Sequence, residues 1–207
     1  MIVIINYGIG NLGSIKNMLK KAGVDSLISN QAKDIEQAEK LILPGVGAFD
    51  YGMVMLQKSG LEPVIRSKVL DDQVPILGLC LGMQLFFSKS EEGTESGLGW
   101  IKGNVIRFKF DSVEKINKIP HMGWNILINH QSHPLLNGLQ DNARFYFVHS
   151  YHVTCENKDD IVASTEYEYS FPSVIARKNI MGTQFHPEKS HKFGMKILKN
   201  FSEISSQ

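Results

Sequence analysis

The chain has 207 residues, 43% of them hydrophobic, which fits one globular domain over residues 1–207 with a sizeable core. Twenty-two basic residues against twenty-one acidic ones leave a net charge of +1, so neither a polybasic stripe for nucleic acid nor a solvating acidic tail is present. Two cysteines, Cys80 and Cys155, cannot build a disulfide scaffold, no basic leader precedes Ile2-Val3-Ile4-Ile5, and no apolar run approaches a membrane span; a soluble, cytoplasmic protein is expected.

Taken in order, Ile2 to Asn6 reads as a strand, Gly8 to Gly13 as a turn, and Leu12 to Lys21 as a helix with Ile15, Met18 and Leu19 at helical spacing. Gly8-Ile9-Gly10-Asn11-Leu12-Gly13 matches Gly-x-Gly-x-x-Gly, the phosphate-cradling turn of dinucleotide sites. The acidic residue that should close the next strand is missing, because Leu27-Ile28-Ser29-Asn30 ends without one. Val24 to Ser29 makes a second strand, Asp34 to Glu39 a helical turn, and Lys40 to Leu43 a third strand running into Pro44-Gly45-Val46-Gly47. Repeated strand–helix units imply a parallel sheet flanked by helices, an α/β fold. Tyr51 to Leu70 is helical with breaks near Ser59-Gly60 and Pro63.

Pro75 to Phe86 is the stretch with the most chemistry. An apolar run breaks at Gly78-Leu79-Cys80-Leu81-Gly82 and continues in a helical pattern, the form of a nucleophile elbow with cysteine in the centre. A helix beginning just after Cys80 would favour the thiolate, the nucleophilic form of the group. A buried core cysteine between two packing glycines would give the same pattern. Glu91 to Gly97 reads as a charged, glycine-rich connection. Beyond it come strand-like segments at 103–110, 144–149, 161–165 and 173–176, read as antiparallel additions to the parallel core. Pro120 to Trp124 reads as an apolar, aromatic loop whose Trp124 is either an exposed interface anchor or core. A closing helix spans Phe193 to Phe201.

The run Ile180 to Phe185 ends at His186-Pro187-Glu188. In an extended segment residues two apart share a side, so His186 and Glu188 can act together. A thiol nucleophile needs a base within hydrogen-bond reach, and the base needs a third group to fix its tautomer and stabilise its cation. Cys80, His186 and Glu188 would fill those roles, although a surface loop with two unrelated polar residues would show the same spacing.

Gly78-Leu79-Cys80-Leu81-Gly82-Met83-Gln84 together with Gln184-Phe185-His186-Pro187-Glu188-Lys189-Ser190 resembles the triad, or class I, glutamine amidotransferases. Leu43 to Phe49, His121-Met122-Gly123-Trp124-Asn125 and Asn6-Tyr7-Gly8 with Gly10-Asn11 are similar to the glutaminase subunits of imidazole glycerol phosphate synthase, and the likeness runs from residue 2 to about 201. The resemblance implies an α/β domain with a three-layer, mostly parallel sheet that hydrolyses L-glutamine to glutamate and ammonia with Cys80 as nucleophile, His186 as acid and base and Glu188 as its orienter. It further implies an oxyanion hole from Gly45, Val46 and the N–H of Leu81, and a glutamine pocket from Gly47, Gln84, His149, Ser150 and Tyr151. Asn11, Met122 and Trp124 would face a (β/α)₈-barrel cyclase in a heterodimer. That partner would use the ammonia, with a ribulosyl aminoimidazole carboxamide nucleotide, in histidine biosynthesis. No metal, organic cofactor, nucleic acid or membrane is implied.

One departure points elsewhere. His191-Lys192-Phe193-Gly194 resembles paralogues that feed ammonia to sugar amidotransferases in surface-polysaccharide synthesis. Among the seven histidines, His130 with His133, His149 with His152 and His186 with His191 invite a metal reading, but none has a paired cysteine or the helical spacing of zinc ligands. A peptidase with the same elbow would need neither Gln84 nor the Pro44 to Gly47 loop.

Overall fold

The computed structural model describes residues 1–110 and 118–205. Its first half alternates strand and helix: β1 (Ile2–Ile5), α1 (Leu12–Lys21), β2 (Ser26–Ser29), α2 (Ala32–Glu36), β3 (Lys40–Leu43), α3 (Phe49–Lys58), α4 (Glu62–Arg66), β4 (Ile76–Leu79) and the short α5 (Leu81–Gln84). Strands dominate the second half: β5 (Gly103–Arg107), β6 (His121–Ile126), β7 (Ile128–Asn129), β8 (Arg144–His149), β9 (Tyr151–Cys155), β10 (Ile161–Tyr167), β11 (Tyr169–Arg177) and β12 (Ile180–Thr183), closed by α6 (His191–Glu203).

Among the described residues the main sheet has eight strands in the order β2-β1-β3-β4-β12-β11-β10-β7. The five strands from β2 to β12 pair in parallel, and β11, β10 and β7 extend the sheet antiparallel. Every residue of β1 and β4 is buried, as continuous apolar strands covered on both faces must be. Alternation along β1 divides the core. Val3 and Ile5 pack on one face with Phe49, Met53 and Leu56 of α3 and Ile65 of α4. Ile2 and Ile4 pack on the other with Ile15 and Leu19 of α1 and Ile197, Leu198 and Phe201 of α6. The result is the three-layer α/β arrangement expected.

Several elements differ from expectation. The helical stretch breaks into α3 and α4 at Ser59-Gly60 as expected, but a π-helical turn, Ser67–Asp71, then follows α4. The strand expected over 103–110 ends at Arg107, and β9 pairs with it antiparallel. The segment expected as a loop around Trp124 is instead the strand β6, paired antiparallel with β8 from His121↔His149 to Ile126↔Arg144. Its alternation is inverted relative to an ordinary half-buried strand: Met122, Trp124 and Ile126 are exposed by 63%, 45% and 42%, while His121 is buried. Polar residues facing inward and apolar ones outward hid the strand pattern.

The glycine turn after β1 is used for close packing. A side chain on Gly10 would stand 2.8 Å from Pro44 Cβ, and the Tyr7 hydroxyl donates to the Pro44 carbonyl at 2.6 Å.

Candidate active site

The elbow forms because β4 must stop abruptly. Cys80, directly after β4, has φ 52° and ψ −109°, a strained conformation for a residue with a side chain. Its N–H donates to Thr183 O at 2.8 Å, and its carbonyl accepts from Met83 and Gln84 at 3.1 and 3.2 Å, so the turn is held from both sides. A Cβ on Gly78 would lie 2.6 Å from the Phe86 ring, and one on Gly82 only 1.9 Å from Leu43 O. Only glycine fits at either flank, which is the physical content of the Gly-x-Cys-x-Gly pattern. The helix after it is a single turn, shorter than the sequence suggests, and Phe87 lies beyond it.

The neighbouring strand delivers the base. β12 pairs with β4 in the register Thr183↔Leu79, so the next residues arrive beside Cys80. The His186 N–H donates to Tyr146 O at 2.9 Å, and the Ser190 hydroxyl donates to His186 O at 2.7 Å. Pro187–Lys189 form a 3₁₀ turn that brings the Glu188 carboxylate back onto the histidine, with Nδ1 to Oε1 at 2.9 Å. The two side chains meet through this turn instead of through an extended segment. The side chains of His186 and Glu188 are only 3% and 2% exposed, so the pair is shielded from water.

Electrostatics follow from that geometry. Burial opposes a charged imidazole at His186, but the charge and hydrogen bond of Cys80, and then those of Glu188, prevail and raise it to about 10. Burial likewise resists charge on Glu188, yet the hydrogen bond and charge of His186 and a hydrogen bond from Asn11 hold its carboxyl below the usual range. Charge is therefore favoured on both members of the His186–Glu188 pair. Gln184, on the same segment, donates from Nε2 to Cys80 Sγ at 3.7 Å.

Cys80 and His186 open onto a cavity of about 520 Å³ lined also by Val46, Gly47, Leu81, Gln84, His149, Ser150 and Tyr151. The triad and most of the residues expected for glutamine and oxyanion binding are therefore brought together. Gly45 lies just behind: a Cβ on it would meet Gly82 N at 2.5 Å. Gln84 is buried and donates from Nε2 to Tyr151 O and to Gln184 Oε1, both at 3.0 Å. Asn11, expected at a partner surface, donates from Nδ2 to Glu188 Oε1 at 3.3 Å. Met122 and Trp124 lie on the exposed face of β6.

Sequence reading missed Glu92 and Lys189, which also line the cavity. Glu92 sits in the charged, glycine-rich connection after α5. Its Oε2 accepts the Phe49 N–H at 2.9 Å, while Asp50 accepts from Thr94 and Glu95, both at 2.9 Å, pinning the loop to the start of α3. Burial, and the charge of Asp50, raise its carboxyl despite the Phe49 bond. Glu92 is one acid in a charged run, and only the fold distinguishes it. The histidines once paired as metal candidates have other partners: His130 meets Ser164 Oγ, His133 accepts from Leu135 N, His152 meets the Tyr169 hydroxyl, and His191 stacks on Trp124.

The profile of the family described as glutamine amidotransferase class-I matches residues 3–204. The chain is 51% identical over 204 residues to imidazole glycerol phosphate synthase subunit HisH 2 of Pseudomonas aeruginosa, covering 99% of this chain and 100% of that protein. It is 52% identical over 201 residues to the protein of the same name from Methanococcus maripaludis, covering 97% and 98% respectively. The fold is similar to that of a solved chain of PurLQS from Thermotoga maritima, with TM-score 0.71 at 17% identity over 97% of this chain and 96% of that one. With these likenesses spanning nearly its whole length, the chain belongs to the class-I glutamine amidotransferase family.

Proposed function

We propose that this single domain is the glutaminase subunit of an imidazole glycerol phosphate synthase, hydrolysing L-glutamine to glutamate and ammonia for histidine biosynthesis. The observation that carries the chemistry is the buried bond from His186 to Glu188 beside Cys80 at the cavity wall. The Cys80 sulfur attacks the side-chain amide carbon of glutamine after its proton has passed to His186. The oxyanion that forms is met by backbone N–H groups of Val46 and Leu81. His186 returns its proton to the amide nitrogen, ammonia leaves, and a glutamyl thioester remains. Water, deprotonated by His186, then cleaves the thioester to glutamate and the free thiol. Glu188 holds the imidazole in the tautomer that keeps Nε2 toward the sulfur, and the Gln184 amide supports charge at that sulfur.

Recognition of free glutamine needs acceptors for its α-ammonium and donors for its carboxylate. Glu92 and the carbonyl oxygen of Gln84 suit the first, since Gln84 commits its Nε2 to Tyr151 and Gln184. Backbone N–H groups of Ser150 and Tyr151, with Gly47 opposite, suit the second.

Ammonia then passes to a (β/α)₈-barrel cyclase in a heterodimer, docked against Met122 and Trp124. Exposed large apolar side chains on one strand face support such a contact. Among the described residues no helix is long and apolar enough to cross a membrane; a role in amino-acid biosynthesis would put the protein in the cytoplasm. The sugar-amidotransferase reading is not favoured, because both full-length relatives carry the imidazole glycerol phosphate synthase name. Glutamate release should be measured with the chain alone and with the cyclase barrel loaded with its nucleotide. Strong stimulation is expected; glutaminase activity indifferent to the barrel would overturn the pathway, and no activity in either state would overturn the chemistry.

A further inference from the structure

From His149 in the cavity wall, a chain of polar side chains runs back into the fold. His149 Nδ1 stands 2.8 Å from Tyr151 O. A ring nitrogen bonds a carbonyl oxygen only if it carries the hydrogen, so the Nδ1–H tautomer is fixed. His149 Nε2 in turn lies 3.1 Å from His121 Nδ1. Burial, and then the neighbouring histidines, hold His149 well below the usual histidine range, and burial takes His121 to about 4, so both rings are neutral. His149 Nε2 is therefore a lone pair, and the proton between the rings belongs to His121 Nδ1. That leaves His121 Nε2 as an acceptor facing Asn125 Nδ2 at 3.4 Å, and the same amide donates to Glu166 O at 2.9 Å. Donation thus runs one way, from Asn125 to His121 to His149 to the Tyr151 carbonyl.

Packing fixes the middle of this chain. The His121 ring is sandwiched between Phe147, with centroids 4.7 Å apart at 22°, and Tyr167, 3.9 Å away at 27°. At the far end, the Tyr151 carbonyl also accepts from Gln84 Nε2 at 3.0 Å. Both lone pairs of one carbonyl are taken by side chains that line the cavity, and Ser150 and Tyr151 form its wall.

We propose that His121 is a positioning residue for the glutaminase reaction: its Nδ1–H holds His149 against the Tyr151 carbonyl, and so sets the wall and the Gln84 amide that grip glutamine. This rests on the glutaminase reading above. His121 touches no reacting atom, so its loss weakens substrate binding more than it slows chemistry.

Two substitutions separate the hydrogen bond from the packing. His121→Phe keeps a ring between Phe147 and Tyr167 but has no donor. His121→Asn loses the ring but places an N–H close to where Nδ1 stood. L-glutamine affinity is measured by calorimetry in a Cys80→Ala background, where nothing turns over, and KM and kcat are measured with Cys80 present. His121→Phe should weaken glutamine roughly tenfold in both Kd and KM, with kcat changed less than threefold. His121→Asn should stay within about threefold of the parent although it unfolds at a lower temperature. Affinity that follows thermal stability instead of the donor, or a His121→Phe protein that binds like its parent, overturns the proposal. Nitrogen NMR at neutral pH should put the proton on Nδ1 of both rings, and Nε2–H on either overturns it as well. A parent that neither binds nor hydrolyses glutamine overturns the glutaminase reading and this inference together, whereas a competent parent with indifferent variants overturns this inference alone.

Discussion

The rings of Trp124 and His191 lie face to face, with centroids 5.2 Å apart and planes 2° from parallel. His191 reaches that position with φ 47°, left-handed for a residue with a side chain, immediately after the turn that carries His186 and Glu188. Three residues on, a Cβ on Gly194 would stand 1.8 Å from Pro187 O, so α6 closes directly on the turn that carries Glu188. The His191 to Gly194 segment that resembled another branch of the family is thus accounted for by packing: His191 braces Trp124 and Gly194 admits the helix. The turn carrying Glu188 and the exposed tryptophan are physically joined.

Replacing Trp124 with alanine should weaken the proposed complex with a cyclase barrel by about 2 kcal/mol, roughly thirtyfold in Kd, if Trp124 is an aromatic anchor there. Titration calorimetry between the two subunits reads it directly. Unchanged affinity would remove Trp124 from the interface.

Cys80→Ala should lower glutamate release by at least ~10⁴-fold while leaving the circular dichroism spectrum and unfolding midpoint close to the parent's. Alanine keeps the Cβ that a φ of 52° disfavours, so the backbone strain is unchanged, and the lost sulfur opens little space, so the fold should hold. Turnover near the parent's would end the thiol mechanism.

The raised value of His186, about 10, depends on the charge at Cys80 more than on Glu188. Its sign is that of a group favoured charged in the fold. The stability it confers is complete below the ordinary histidine value near 6.5 and is lost as pH rises through about 10. The alkaline limb of kcat/KM should fall in the same region. In Cys80→Ala the imidazole should titrate clearly lower, as followed by carbon or nitrogen NMR; an unshifted titration would show that Cys80 does not set it.

Gly82 offers a test of the elbow independent of the nucleophile. A methyl group there would sit 1.9 Å from the Leu43 carbonyl, a backbone atom that cannot swing aside. Gly82→Ala should cost about 3 kcal/mol or more in urea unfolding and take glutaminase activity with it. A stable, active variant would mean that the elbow can relax.

Much of this was legible in the sequence because it depends on local steric demands. Gly78 and Gly82 announce the elbow since no other residue fits beside Phe86 and Leu43, and the apolar strands announce a sheet covered on both faces. What stayed hidden depends on distant chain segments. β6 carries its apolar residues outward, so its pattern read as a loop. Asn11 shows its bond to Glu188 only once α1 and the catalytic turn are adjacent. Gln184 was part of a motif, yet its contact with Cys80 needs β12 registered on β4.

Glu92 is the residue whose role the sequence concealed most fully, and it yields the sharpest test of how glutamine is held. Its carboxylate lines the cavity while its Oε2 is anchored on the Phe49 N–H, and the loop is fixed by the Asp50 bonds to Thr94 and Glu95. Burial raises it when the cavity holds no cation, and an arriving α-ammonium would reverse that shift by direct attraction. Glu92→Gln keeps an oxygen for Phe49 and removes only the charge. KM for L-glutamine should rise about tenfold or more, the cost of losing a charge-assisted bond, with kcat within about threefold. The analogue lacking the α-amino group separates charge recognition from loop support. The parent should bind it poorly compared with glutamine, and Glu92→Gln should treat the two nearly alike. Equal losses for both compounds would mean that Glu92 merely holds the loop to α3.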